Sequence, residues 1–357
     1  LIAEDELRIE LIASGESMWL KRILTLFAFL VPASVYAQPM YTVTDLGSLG
    51  GDVTIVAGVN SAGTAVGSST DSSGRLRAFI WKDGVMQSIE PPEGYTRSLA
   101  RGISNSGKVV GWFDNQESCE YPNCKAVVFV YDNSVQLLPT LGGTSARGYA
   151  ISNSGYVVGA STKPNFGPLR GFIFRKDAIR GFGTLGGLFS QAYAVNSKGI
   201  AAGSAGIPGP GHQHAVIFKD DIVEDLGTLG GNTSTARGIN NAGEVVGDSD
   251  TTNNENKRGF IFRDGQMYDL GTFGGRFSEA FAINNSSQIV GRAMTATRGY
   301  QAFLYENGEM LDLNDRITDN RWGLLEATTI SDSGIIGING TFQGVHNKAV
   351  LLTPVVN

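Results

Sequence analysis

Apolar and polar positions in this chain alternate in short runs broken by turn residues, and the same set of four runs recurs along its length. In one copy the runs are ARGIN (Ala236 to Asn240), EVVG (Glu244 to Gly247), GFIF (Gly259 to Phe262) and MYDLG (Met267 to Gly271). Runs this short predict strands, and the apolar spacing of three and four that marks an amphipathic helix is absent. The joints agree with that reading. NNAG supplies Asn and Gly for a tight turn, and Asp264-Gly265 is a two-residue hairpin signal favouring positive φ at both positions.

The closing glycine of each second run falls at Gly67, Gly111, Gly159, Gly203, Gly247, Gly291 and Gly337, a step of 44 residues in four of six intervals and never above 48. The third run marks the register: AFIW at Ala78, AVVF at Ala126, GFIF at Gly171, AVIF at Ala215, GFIF at Gly259, AFLY at Ala302 and AVLL at Ala349. Four strands in a repeat of this period predict a propeller blade; a β-helix rung would be much shorter. The expected fold is therefore all-β, a seven-bladed β-propeller of four-stranded blades.

No fourth run follows the last third run, whereas YTVTDLG at Tyr41 to Gly47 matches a fourth strand with no blade before it. The N-terminal strand is expected to complete the last blade, three strands plus one, and so close the ring and remove its open edges. First strands alternate small residues, as in Ala192, Ala194 and Asn196 or Ala280, Ala282 and Asn284, with Val195 and Ile283 on the other side. These are expected to be packing positions near the axis and not the lining of a catalytic channel.

Composition adds a compartment. Residues 1–17 hold no methionine and read as upstream sequence outside the fold. Residues 18–37 read as a signal peptide: Met18, Lys21 and Arg22, the apolar run Ile23 to Val31, then Val35-Tyr36-Ala37 as a cleavage site. The alternative, an uncleaved anchor, is disfavoured because nine residues fall short of the roughly 20 that span a bilayer. Residues 38–357 are expected to form one propeller domain, secreted to the exterior or the periplasm, monomeric and without a membrane span. The whole chain carries 28 basic and 34 acidic residues, net −6, which leaves no electrostatic footprint for nucleic acid.

Together, DLGTLGG, the INxxGxVVG phrase and the ending with Trp322, Ala327, ISDSGIIG (Ile330 to Gly337) and AVLLTP (Ala349 to Pro354) resemble the HAF-repeat family of bacterial extracellular proteins. The resemblance covers nearly all of Tyr41 to Pro354 and implies secretion and a repeat fold, with no established activity. The His-Ala-Phe triplet itself never occurs whole: His214-Ala215 is followed by Val216.

In a four-stranded blade the loop entering strand one and the loop from strand two to strand three emerge on one face. Here the first set is the repeated TLGG, which lacks the helix that a phosphate-binding glycine loop needs and is assigned to turn geometry. The second set varies freely, and variable loops on a regular scaffold commonly build a binding surface. Its candidate binding residues are Trp112, Asp114, Tyr121, Phe166, His212, His214, Asp248, Asp250, Tyr300 and Phe342. Cys119 and Cys124, the only cysteines, are expected to form a disulfide pinning the longest loop. Asp248, Asp250 and Asn253 lack the glycine and terminal acid of a calcium loop, and His212 with His214 is a weak metal pair, so neither a metal nor a cofactor is expected.

A polar or basic residue precedes each third run: Arg77, Lys125, Arg170, His214, Arg258, Gln301 and Lys348. This set could be a cationic ring or, as its recurrence in every unit suggests, a shared bond to a neighbouring loop. No inner-strand residue is read as breaking the repeat the way a catalytic acid would. The function expected is a secreted, non-enzymatic binding propeller for a glycan, peptide or cell-surface partner; the alternative is an extracellular glycan hydrolase or lyase on the same face.

Overall fold

The computed structural model describes residues 40–115, 125–165, 167–209, 211–297 and 299–355. The upstream segment, the signal peptide, Cys119, Cys124, Tyr121 and Phe166 lie outside the described residues. Among the described residues no helix is long and apolar enough to cross a membrane.

The chain is all-β, with 28 strands among the described residues. β1 (Tyr41–Asp45) stands before the first unit, which is β2 (Gly50–Val59), β3 (Ala65–Asp71), β4 (Leu76–Lys82) and β5 (Val85–Ile89), hydrogen-bonded in that order. Three more antiparallel sheets of four follow. The next unit holds β18 (Gly230–Ile239), β19 (Val245–Thr251), β20 (Lys257–Arg263) and β21 (Gln266–Asp269). A single residue pair, Lys257 with Phe277, joins it to the sheet that begins at β22 (Gly274–Ile283) and β23 (Ile289–Thr295). The last sheet is β26 (Trp322–Ile330), β27 (Ile336–Phe342) and β28 (Val345–Pro354), with β1 antiparallel to β28 from Tyr41 against Pro354 to Asp45 against Val350.

The hairpin signals act as read: Asp264 and Gly265 have φ of 52° and 74°, and Asn307 and Gly308 have 54° and 85°. Between successive sheets the third-strand aromatics Phe79, Phe129, Phe172, Phe218, Phe260 and Phe303 are wholly buried. Removing each from water contributes on the order of 2–3 kcal/mol, and this stacking of sheet on sheet is the main adhesive of the fold.

Strand one of every unit contains a β-bulge, which corrects the expected simple alternation. The register slips between Val56 and Gly58, Ala100 and Gly102, Gly148 and Ala150, Ala192 and Ala194, Ala236 and Gly238, and Ala280 and Ala282. The slip throws a backbone carbonyl at the closing glycine of strand two. A Cβ on Gly67 would stand 2.0 Å from the Ile55 oxygen and one on Gly247 1.9 Å from that of Thr235, so no side chain fits. The last unit has two slips, at Leu324/Glu326 and Ala327/Thr329, and there Ile338, not Gly337, pairs with the strand-one alanine. Gly337 therefore sits one residue before the position of the other six closing glycines, in keeping with its spacing of three residues from Gly334, where Gly63 and Gly67 stand four apart.

The opposite ends of the first strands are stitched by the Asn and Ser of the turn phrase. Asn240 Oδ1 accepts from the backbone N–H groups of Ala242, Gly243 and Glu244, while its amide donates to the Asn284 carbonyl of the next unit at 3.3 Å. Beside it run Ser61 N to Asn105 Oδ1 at 3.0 Å, Asn105 N to Asn153 Oδ1 at 2.7 Å, Ser197 N to Asn241 Oδ1 at 2.9 Å and Asn241 N to Asn285 Oδ1 at 2.9 Å. Asn285 N continues to Asp332 Oδ1, and Ser333 Oγ donates to the Ser61 carbonyl.

Candidate functional site

A β-bulge leaves one residue unpaired and re-aims its side chain. The unpaired residues of the seven first strands are Ala57, Arg101, Tyr149, Tyr193, Arg237, Phe281 and Thr328, and all but Ala57 and Thr328 are large. These seven line a single cavity of about 660 Å³ along the inner strands. Its floor is a collar of Val59, Ile103, Ile151, Val195, Ile239, Ile283 and Ile330, which also lines a second, smaller space among the turn asparagines. Ala194, Val195, Ala282 and Ile283, expected to be packing positions only, are thus channel-lining as well. The bulge is the reason: it turns part of strand one toward the axis.

One side of the cavity is an ion-pair network. Arg237 Nε donates to Asp248, and Arg237 Nη2 lies 3.8 Å from Glu279. Arg292 donates from Nε to Glu279 at 2.6 Å and from Nη1 to Glu326 at 2.9 Å, and Lys257 reaches Asp248 at 3.2 Å. Burial alone would lower the Arg237 pKa, but the Asp248 and Glu279 charges outweigh it and hold the guanidinium above its ordinary value. Phe281 lies between Arg237 and Arg292, 5.6 Å from each. Glu279 and Glu326 sit in β22 and β26, so two acids do break the repeat in the inner strands, contrary to the sequence reading.

The other side is aromatic and cationic. Arg101 and Arg147 stand 5.4 Å and 5.8 Å from the Trp112 ring, whose edge meets Tyr149 at 6.0 Å; Tyr149 and Tyr193 lie 5.4 Å apart at 32°. Among the described residues no carboxylate lies within ion-pair distance of Arg101 or Arg147, and the buried Arg147 Nε has no hydrogen-bond partner. The Arg101 side chain is exposed toward the open cavity and flanked by protein at its sides. Burial first, and the Arg147 charge with it, hold its pKa below the ordinary value. Burial pushes the Tyr149 and Tyr193 hydroxyls up, so both remain O–H donors at neutral pH.

The predicted residues distribute unevenly. Trp112 and Asp114 lie in β7 (Val109–Asp114), not in a loop; both are buried, with Trp112 Nε1 donating to Asp114 at 3.0 Å and Arg97 paired to Asp114 at 2.7 Å. Asp248 is buried at the ion-pair network, where two cations occupy the carboxylate that a calcium ion would need. Tyr300 packs under Arg292 at 4.5 Å. The remainder stay apart from the cavity. His214 pairs with Asp225 at 2.9 Å, Asp250 accepts from Thr233, Phe342 packs on Trp322 at 4.7 Å, and His212 is half-buried at a loop. Strands two and three run further than their apolar cores suggest, which is why Trp112, Asp114, His214, Asp248, Asp250, Tyr300 and Phe342 prove to be strand residues and not loop residues.

Arg101, Arg147, Tyr149, Gln191, Tyr193, Arg237, Phe281, Glu279, Arg292 and Glu326 were not singled out from sequence. For Arg101, Tyr149, Tyr193, Arg237 and Phe281 a signal was present: each is a large residue between two small ones in its first strand. The polar residue before the third run is a shared structural bond in three units. Arg77 Nη1 donates to the Thr96 carbonyl at 2.6 Å, and Arg170 and Arg258 donate likewise to Leu188 and Arg276.

Solved structures similar to this chain are β-propellers. The β-propeller domain of the Trilobed protease from Pyrococcus furiosus matches with a TM-score of 0.57 at 10% identity, over 84% of this chain and 93% of that one. Pyrococcus horikoshii acylaminoacyl peptidase matches with a TM-score of 0.52 at 12% identity, over 81% of this chain and 50% of that one. The chain thus spans about half the length of that peptidase. Likeness at such identity extends to the fold alone, and the fold is a β-propeller. No family model matches the chain, and no curated protein matches it.

Proposed function

We propose that this chain is a secreted, non-enzymatic binding protein of the HAF-repeat type. In this reading it is a seven-bladed propeller closed by β1 on β28, which takes a glycan, peptide or cell-surface partner into the axial cavity from the variable-loop face. Closure is supported by the pairing of β1 with β28 and by bonds between the first and last units: Thr328 Oγ1 to the Val56 carbonyl and Val56 N to Asn339 Oδ1, both 2.9 Å. The carrying observation is that the bulge residues, which differ from unit to unit in an otherwise repeated phrase, converge on one cavity. A repeat held by packing needs no such variety; a ligand site does.

A glycan hydrolase or lyase is the second reading, favoured by Glu326 on the cavity wall and Glu279 held near it through Arg292. Such chemistry needs one carboxyl free to give a proton and another free to act as base or nucleophile. Here Arg292 engages both, which supports recognition over proton transfer.

The test is a screen of glycans and envelope fractions with the secreted chain, its Tyr193→Ala variant and its Phe342→Ala variant. Binding lost with Tyr193→Ala and kept with Phe342→Ala is the expected result. Binding indifferent to Tyr193→Ala overturns the axial site, and release of reducing ends from a bound glycan overturns the non-enzymatic reading.

A further inference from the structure

We propose that the ligand of the axial cavity is an acidic glycan of the uronate class, its carboxylate received by Arg101, with the Arg147 charge behind it, and its sugar ring by Tyr149 and Tyr193. The inference rests on the axial-binding reading and adds the chemistry of the ligand.

Charge is distributed unevenly around the cavity wall. The Arg237 and Arg292 side is compensated by Asp248, Glu279 and Glu326. On the facing side Arg101 lines the cavity with no described carboxylate at ion-pair distance, and the Glu326 charge reaches it only from across the cavity. The neighbouring acid, Asp114, already accepts from Arg97 and Trp112. The Arg101 and Arg147 charges repel one another, and an anion placed against Arg101 in the cavity relieves that repulsion.

The shape of the donors selects the anion. A guanidinium presents its N–H groups in a planar fork that matches a planar carboxylate, whereas a sulfate ester is tetrahedral. Beside the fork, the Tyr149 and Tyr193 rings, 32° from parallel, offer a step on which the apolar face of a pyranose can rest. Their hydroxyls and the Gln191 amide supply donors and acceptors for sugar hydroxyls; Tyr149 Oη already lies 3.5 Å from Gln191 Oε1. At about 660 Å³ the cavity falls in the usual range for small ligands, about 300–1,000 Å³. The Val/Ile collar beneath it blocks a polar chain from threading, so the site takes the end residue of a glycan.

The experiment is calorimetric titration of the secreted chain with glucuronate-, galacturonate- and mannuronate-terminated oligosaccharides, their methyl esters, their neutral parents and a sulfated oligosaccharide. At least one uronate is expected to bind, with its methyl ester and neutral parent weaker by about tenfold or more. Arg101→Ala is expected to cost a similar factor, Arg101→Lys and Arg147→Ala less, and Trp112 fluorescence to change on binding. Should Arg147→Ala fail to fold, Arg147→Met keeps the packing on Trp112 and serves in its place. The proposal is overturned if no uronate binds, if the methyl esters bind as tightly, or if only the sulfated sugar binds. In those cases, binding of any other glycan or envelope fraction that Tyr193→Ala abolishes leaves the axial reading standing. Binding that ignores both Tyr193→Ala and Arg101→Ala removes both readings.

Discussion

At the scale of single residues the molecule turns on Arg292, which joins Glu279 and Glu326 across two units. Removing the cation leaves two partly buried carboxylates facing each other. Breaking a fully buried pair costs about 3–5 kcal/mol. Arg292 keeps about a third of its side chain exposed, and solvent screening discounts the expected loss for Arg292→Leu to about 2 kcal/mol. Urea unfolding of the variant measures it, and an unchanged midpoint would show that the network contributes only to recognition. The individual site residues were poorly legible beforehand. Trp112 and Asp248 were picked for their chemistry and are indeed near the cavity, but the loop position assumed for them was wrong. Arg101, Tyr149 and Tyr193 were passed over because a large residue between two small ones in a strand reads as an outward-facing side chain; only the bulge turns it inward.

At the scale of elements, each unit depends on a bulge at one end of strand one and an Asn or Ser turn at the other. Asn240 serves its own turn and the next unit at once, at 4% exposure. Asn240→Ala is expected to cost about 2 kcal/mol, from the lost turn bonds and a buried Asn284 carbonyl left without its partner. Asn241→Ala, at a half-buried neighbouring position with a single bond to Ser197, is expected to cost about half as much, and thermal melts of the pair separate the two. β1 is the other decisive element. Deleting residues 41–47 strips β28 of its partner and takes Tyr41 and Leu46 from the core. A sharply lower melting temperature is the expected outcome, and an unchanged melt would count against closure by the N-terminal strand.

At the scale of the whole molecule, three tyrosines in separate units, Tyr41 buried and Tyr149 and Tyr193 half-buried, link stability to pH. Burial raises the pKa of Tyr41, with Glu306 adding to it, and burial likewise raises those of Tyr149 and Tyr193. A raised phenol binds its proton more tightly in the folded state. Its contribution is therefore intact below the unfolded value of about 10 and is lost as pH climbs from there toward the folded value. Denaturant midpoints are expected to hold flat toward pH 9 and to fall above pH 10, less steeply in Tyr41→Phe. An alkaline fall as steep in Tyr41→Phe as in the parent would mean that this hydroxyl is not held protonated.

The sequence by itself determined the strand content, the repeat of four strands, the hairpin turns and the fourth-strand character of Tyr41 to Gly47, because each rests on local chemistry: period-two patterning, positive-φ residues and a fixed step. Only the tertiary structure decided where the site lies. A one-residue slip at each first strand carries Arg101, Tyr149, Tyr193, Arg237 and Phe281 to a common axis, and residues up to 180 positions apart in the chain become neighbours there. The slip depends on a carbonyl meeting a glycine on the next strand, a contact between strands that no local pattern encodes.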